Sequence, residues 1–199
     1  MIHRSKSWWH RFANGHPFNS SLLFSVYSVS SVARLPLTFL GRISVTYKYY
    51  WEDFKVGETH QIGEKRVDKD EIIAFAKQFD PQPFHVDEAA AKVSLYGGLI
   101  ASGWHTVALV MRMMCDSYML DSASLGSPGI DNLKWLEPVR PGDTIRAQRT
   151  TLELRASASR PEMGLVKTRW EVFNQNAEQV MTMEGYGMFR RRNPGTPVQ

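Results

Sequence analysis

The chain has one cysteine, Cys115, among its 199 residues, so no disulfide can form within it. A protein without disulfides is typical of a reducing compartment, which favours the cytoplasm over secretion. Acidic residues are missing from the first 51 positions, which hold six Lys or Arg residues and no Asp or Glu. The rest of the chain has a net charge of −2. It therefore offers no basic surface of the kind that binds nucleic acid.

The basic N-terminal segment, residues 1–45, also lacks an unbroken apolar run of the roughly 20 residues that a membrane-spanning helix needs. Its Arg- and Ser-rich composition resembles a mitochondrial transit peptide, and a secretory signal fits less well because serines interrupt its apolar stretch. An extension translated from an upstream start codon would look the same. We expect such an extension over 1–45, a single folded domain over 46–192 and a short tail over 193–199. The cytoplasm is the expected location, or the mitochondrial matrix if the extension is a transit peptide, without stable membrane insertion.

The segment from residue 75 to 85 joins an apolar helix end to two prolines, one carboxylate and one imidazole. Pro81 prevents Asp80 from continuing the helix comfortably, and Pro83 stiffens the connector that leads to His85. A carboxylate and an imidazole with little backbone freedom suit acid–base catalysis. A lone Asp before Pro is usually a turn residue, so the interpretation depends on the pairing of Asp80 with His85.

A glycine-rich segment leads into a long apolar stretch, which runs from Trp104 to about Leu120. The glycine-rich segment contains the pair Gly97-Gly98 and ends at Gly103, the predicted N-terminus of a long helix. Unpaired backbone N–H groups at such an end, with the positive end of the helix dipole, can stabilise a developing negative oxygen. Together the two segments indicate chemistry on a carbonyl compound.

Hydrophobic periodicity and turn signals predict a strand, three helices and four more strands, at 59–67, 69–79, 88–93, 104–120, 130–136, 144–156, 165–174 and 179–191. A loop is predicted over 122–129. Because no crossover helices separate the last four strands, they cannot form a doubly wound parallel sheet. The sequence therefore predicts an α+β fold in which an antiparallel sheet wraps around one long helix.

Finer features are predicted in two of these elements. Asp68 precedes the first helix and Glu71 follows three residues later, which is the pattern of a capping box. The buried face of that helix should consist of Ile72, Phe75, Ala76 and Phe79. In the strand over 144–156 the apolar residues change phase, which predicts a bulge near Gln148 or Arg149.

The two motifs resemble those of the MaoC-type dehydratases, which are R-specific enoyl-CoA hydratases of the hot-dog fold. The family's loop usually reads Gly-Asp-x-Asn-Pro-hydrophobic-His, and Asp80, Pro83 and His85 match it. The later segment commonly ends in Ala-His-Gly, and Gly103 matches its glycine. The resemblance covers roughly residues 51–192. It implies one hot-dog domain that forms homodimers or higher even oligomers.

The resemblance also implies a reaction and a set of site residues. Water would be added to, or removed from, the C2–C3 bond of an acyl-CoA thioester, with Asp80 and His85 holding one water and the Gly103 N–H holding the thioester oxygen. The expected substrate-binding residues are Pro83, Phe84, Gly98, Ser102 and Trp104. Coenzyme A would enter as part of the substrate. A metal at Asp80, His85 and Asp87 is not expected, because no third cluster has ligand spacing. The implied reaction needs no redox cofactor.

Two other functions remain open at this point. Hot-dog thioesterases usually carry their carboxylate on the long helix, where this chain has only Asp116, near the C-terminal end. A non-catalytic acyl-CoA-binding module would need neither Asp80 nor His85. Both residues are present, so the sequence favours the hydratase.

Overall fold

The computed structural model describes residues 46–194, so the predictions for residues 1–45 and for the end of the tail lie outside it. Its five strands are β1 (Thr59–Arg66), β2 (Ser124–Trp135), β3 (Thr144–Ala156), β4 (Met163–Phe173) and β5 (Gln179–Arg190). They form one antiparallel sheet in the order β1-β3-β4-β5-β2. The predicted α+β class and antiparallel sheet are therefore confirmed.

Four helices lie between β1 and β2 in the chain: α1 (Lys69–Phe79), α2 (Pro83–Val86), α3 (Glu88–Val93) and α4 (Gly103–Met114). A π-helical turn, Cys115–Met119, continues α4, and a single 3₁₀ turn, Trp51–Asp53, precedes β1. None of the helices between residues 46 and 194 has the length and apolar content that a bilayer crossing requires.

The core is formed by α4 and the inner face of the sheet. Val110 of α4 is fully buried in the same apolar cluster as Ile145 of β3 and Met181 of β5. Over residues 165–173 of β4 the predicted alternation is confirmed, since the buried residues there are Val166, Thr168, Trp170 and Val172. Burying a Val or Ile side chain contributes about 1.5–3 kcal/mol, so this alternation determines which face of β4 meets the helix.

Helix α1 has the predicted bounds, but two of its details differ. The Asp68 carboxylate caps the helix by accepting a hydrogen bond from the Asp70 N–H at 2.8 Å. Glu71 forms an ion pair with Lys65 of β1 at 3.1 Å, and the predicted capping box does not form. Phe79 was expected in the buried face and is 64% exposed. It lies in the last turn, which leads out of the core.

Strand β2 begins at Ser124, so the prediction of a loop over 122–129 is wrong. This half of the strand pairs with β5 through repeated register shifts, with Gly126 opposite Met188 and Gly129 opposite Tyr186. Both glycines have positive φ angles, a conformation that side chains disfavour. The residues that predicted a loop therefore form an irregular strand, because they pair with β5.

The bulge predicted in β3 lies further along that strand. Thr151 and Glu153 pair with consecutive residues of β4, so Leu152 is the extra residue. A second irregularity does fall opposite Gln148, but it belongs to β1, where Ile62 is the unpaired residue. The change of phase in the sequence does correspond to a bulge in β3, but the position of the bulge depends on the neighbouring strands.

Candidate active site

Asp80 and His85 come together at the connector between α1 and α2. Asp80 ends α1, and its backbone N–H donates to the carbonyl of Ala76 at 2.9 Å. Its Oδ2 lies 3.4 Å from Nε2 of His85, whose side chain is only 6% exposed. The structure thus places next to each other the two residues whose pairing the sequence indicated.

The other ring nitrogen of His85 determines how this pair can act. Nδ1 lies 2.9 Å from the carbonyl oxygen of Ile100, which can only accept, so we assign the ring hydrogen to Nδ1. In the neutral ring Nε2 is then an acceptor, and it faces the Asp80 carboxylate, which is also an acceptor. Two acceptors cannot bond to each other. They can both accept from one molecule with two O–H bonds, such as water.

Two neutral donors hold the Asp80 carboxylate. Gln82 Nε2 donates to Oδ1 at 2.8 Å, and the Ser102 hydroxyl donates to Oδ2 at 2.7 Å. The hydrogen bond from Gln82, and next that from Ser102, hold the pKa of Asp80 below its ordinary value. The carboxylate is therefore ionised at neutral pH.

The start of α4 lies beside this pair. Ser102 caps the helix, its Oγ accepting the Trp104 N–H at 3.2 Å, and Gly103 is the first helical residue. The N–H of a first helical residue has no intrahelical acceptor. The indole ring of Trp135, at the end of β2, lies against Gly103 so closely that a Cβ there would be 2.3 Å from ring carbon Cε2. Only glycine fits this contact without displacing the ring.

Asp80, His85 and Gly103 all line one cavity of about 430 Å³. Of the predicted substrate-binding residues, Phe84 and Trp104 also line it. The walls include further residues that the sequence did not indicate: Gln82, Tyr96, Thr106, Trp135 and Glu137. The structure brings the predicted catalytic residues together, and their roles stay predictions.

The other three predicted substrate-binding residues lie outside the lining of this cavity. Pro83 is the first residue of α2, a position that suits proline. The Cα of Gly98 lies close to the Arg140 guanidinium, which would be 3.4 Å from an added Cβ. Ser102 is fully buried. Direct substrate contact by these three residues stays a prediction.

Gln82 and Trp135 are two of the site residues that sequence reasoning missed. Gln82 lies within the motif, at the position where the family usually has Asn. Its place in the motif could therefore have identified it as a site residue. Trp135 lies more than thirty residues beyond Gly103 in the chain, and no local pattern connects the two. Their contact arises only when β2 and α4 pack together.

A second cavity of about 520 Å³ lies along α1, α4 and β1, and Asp116 and His105 are among its lining residues. Asp116, the carboxylate considered for a thioesterase, forms an ion pair with Arg112 one helical turn away. His105 is buried and stacks on Phe75 with ring centroids 4.8 Å apart. Between residues 46 and 194, no three His, Cys, Asp or Glu side chains converge in a way that could hold a metal ion.

Comparison with known proteins agrees with this geometry. Residues 53–172 match the family model described as the MaoC-like domain. The chain belongs to the MaoC-like dehydratase family. A solved MaoC-like dehydratase from Rhodospirillum rubrum is 39% identical, with a TM-score of 0.67, and the match covers 75% of this chain and 99% of that one. The hot-dog fold implied by the sequence motifs is thereby confirmed.

Two further relatives of this MaoC-like chain are more distant. The uncharacterized protein YdeM of Bacillus subtilis is 28% identical over 134 residues, which span 67% of this chain and 92% of that protein. The (R)-specific enoyl-CoA hydratase of Rhodospirillum rubrum is 29% identical over 111 residues, which span 53% of this chain and 72% of the hydratase. The MaoC-like family is thus one of hydratases and dehydratases.

Proposed function

We propose that this MaoC-like protein adds water to the C2–C3 double bond of a trans-2-enoyl-CoA thioester, or removes it in the reverse direction. The observation that carries the proposal is that Asp80 Oδ2 and His85 Nε2 lie 3.4 Å apart and line a shared cavity, where the assigned tautomer of His85 makes both atoms acceptors. Such a pair suits a water that must be held and deprotonated. Gly103 at the start of α4, in the same cavity wall, supplies a backbone donor for the thioester oxygen.

In the hydration direction the water donates one hydrogen to each acceptor. One of them takes its proton as the water oxygen forms a bond to C3, and the C2–C3 π electrons move toward the thioester carbonyl. The oxygen becomes enolate-like and is held by the Gly103 N–H and the α4 dipole. A proton is then returned to C2, so that hydroxyl and hydrogen are both added. Acid–base help contributes about 10² to 10⁴-fold.

The fixed position of the dyad in the lining of the cavity also supports stereospecific hydration. Water held by Asp80 and His85 approaches only one face of a substrate whose carbonyl is fixed at Gly103. By similarity to the (R)-specific enoyl-CoA hydratase of Rhodospirillum rubrum, we propose the R product. Coenzyme A is part of the substrate in this proposal, and no separate cofactor takes part.

The two alternative functions make different use of the same fold. A thioesterase would need a carboxylate on the long helix, and Asp116 is paired with Arg112 and lines the second cavity. A binding module without catalysis would not need a carboxylate held by two donors beside a buried imidazole. Both observations favour the hydratase.

The test is a panel of trans-2-enoyl-CoA thioesters that differ in chain length and branching. Hydration removes the absorbance of the conjugated thioester without releasing a thiol, and chiral chromatography of the product then gives its configuration. Release of free coenzyme A, detected with a thiol reagent, would assign the thioesterase reaction instead. Saturable binding without either change would assign a binding module.

A further inference from the structure

We propose that Ser102 is a positioning residue, which holds the Asp80 carboxylate in its reactive orientation and does not itself contact the substrate. For its catalytic consequence this inference depends on the proposed hydratase function. The sequence alone placed Ser102 among the substrate-binding residues, and the family motif that it resembles has histidine there.

The hydrogen bonds of the Ser102 hydroxyl carry the inference. Its Oγ donates to Asp80 Oδ2 at 2.7 Å and accepts the Trp104 N–H at 3.2 Å. An ionised carboxylate can only accept, so the single hydroxyl hydrogen points to Asp80 and the lone pairs remain for the helix N–H. One hydroxyl therefore joins the end of α1 to the start of α4.

The oxygen that Ser102 holds is the reactive one. Oδ2 is also the oxygen 3.4 Å from His85 Nε2, whereas Gln82 holds Oδ1 on the other side. A carboxylate held at both oxygens cannot rotate freely, so Oδ2 stays directed at the imidazole and the cavity. The Trp104 N–H polarises the hydroxyl and strengthens its donation to the carboxylate.

The burial of Ser102 distinguishes a positioning role from direct substrate binding. Ser102 has no exposed surface and does not line the cavity that contains Asp80 and His85. A bound thioester could reach its hydroxyl only after α4 or Asp80 had moved. The influence of Ser102 on catalysis must therefore pass through Asp80.

The test replaces Ser102 by glycine in the full chain. Glycine is nearly as good as serine at a helix N-cap, so Ser102→Gly removes the hydroxyl while the helix start is retained. Ser122→Gly is the matched control, because Ser122 is also buried and its hydroxyl donates to the Tyr118 carbonyl, away from Asp80. If Ser102→Gly fails to fold, Ser102→Ala is measured in the same way.

The first measurement needs no substrate. The Asp80 carboxyl is titrated by carbon-13 NMR in wild type, Ser102→Gly and Ser122→Gly, with Asp80→Asn to assign the signal. Loss of the hydroxyl should raise the pKa of Asp80, because one of the two hydrogen bonds that stabilise the ionised form is gone, and the control should leave it unchanged. An unchanged pKa in Ser102→Gly overturns the proposal, whatever reaction the protein catalyses.

The second measurement is steady-state hydration of the best enoyl-CoA substrate. Ser102→Gly should lower kcat about tenfold or more, leave KM within about twofold and move the acid limb of the pH profile upward. In an Asp80→Asn background the same change should alter kcat less than about twofold. A raised KM with unchanged kcat would make Ser102 a substrate-binding residue and overturn the proposal. Absence of hydration in wild type would refute the hydratase function, while the NMR titration still decides the role of Ser102.

Discussion

The indole of Trp135 packs on Gly103, and the indole of Trp51 packs on Gly164 in the same way, so that a Cβ on either glycine would lie 2.3 Å from a ring carbon. The two tryptophans differ in their surroundings. Trp135 is 47% exposed, whereas Trp51 is 5% exposed and donates through Nε1 to the carbonyl of Leu165 at 3.0 Å. The same added methyl group should therefore have different effects at the two glycines.

Gly164→Ala should lower the free energy of unfolding by about 1–3 kcal/mol, because the buried Trp51 ring cannot move aside. Gly103→Ala should cost much less stability, since the half-exposed Trp135 ring can turn toward solvent, but it should reduce hydration because the ring borders the cavity. Denaturant unfolding and enoyl-CoA turnover of both variants provide the check. Equal stability losses would contradict the difference in ring mobility.

Asp80→Asn and His85→Gln should each lower hydration by at least about 10²-fold, with little change in melting temperature. Both substitutions keep the size of the side chain and remove the proton-transfer role. The double variant should be far less than multiplicatively worse, because the two groups act on one water. Steady-state rates and thermal unfolding of all three variants test this.

Asp116→Asn is the control for the dyad. The Asp116 carboxylate is exposed, pairs with Arg112 and lines the other cavity. Removing its charge should therefore leave the hydration rate within about twofold of wild type. If Asp116→Asn abolished turnover while His85→Gln left it nearly unchanged, the active site would be at the π-helical turn that continues α4, and the thioesterase function would replace the hydratase.

His105 should make the stability of the protein depend on pH in the mildly acidic range. Burial lowers its pKa below the ordinary value of 6.5, so the unfolded chain binds a proton that the folded protein does not. The stabilisation is fully present above about pH 6.5 and is lost as pH falls toward the folded-state pKa, by up to about 1.4 kcal/mol per pH unit. His105→Phe should flatten this slope in urea unfolding between pH 7 and 5.

Much of the fold follows from local signals in the sequence. Helix α1 has the predicted bounds because the Asp68 cap and Pro81 act within a few residues of its ends. The alternation of apolar and polar residues in β4 could also be predicted from the sequence, because one face of that strand is buried along its whole length. The pairing of Asp80 with His85 could be predicted because the prolines stiffen the short connector between them.

The features that sequence reasoning missed depend on contacts between distant segments. The start of β2 contains Ser, Gly and Pro, and becomes a strand only through its pairing with β5. The position of the bulge at Leu152 depends on β4, not on the composition of β3. Trp135 reaches Gly103 from another element altogether. Local composition contains no information about such partners.

A chain that begins at Val45 should fold and hydrate enoyl-CoA like the full chain, because the strand pattern and every proposed site residue follow that position. Lys48 and Tyr49 must be retained, since both N–H groups donate to the Asp121 carbonyl. A chain that begins at Phe54 loses these bonds and the buried Trp51, so it should unfold at a lower temperature. Insolubility of the Val45 chain would contradict the prediction.

The protein should be a homodimer or a higher even oligomer at micromolar concentration. Strand β2 is an edge of the sheet, and Ile130 and Trp135 on it are about half exposed. An unpaired edge with apolar side chains favours pairing with a second copy. Sedimentation velocity should detect the oligomer, and Ile130→Lys should weaken it. A wild-type monomer at that concentration would count against the prediction.

The residues proposed to carry the chemistry lie at the ends of helices or in a very short one. Asp80 closes α1, His85 lies within the four-residue α2, and Gly103 opens α4. The long middle portions of α1, α4 and the strands contribute walls and core but none of these reacting groups. In a directed-evolution experiment, cavity-lining residues outside this set, such as Tyr96 and Glu137, can therefore be randomised to select for new acyl groups while the proposed reacting groups are kept.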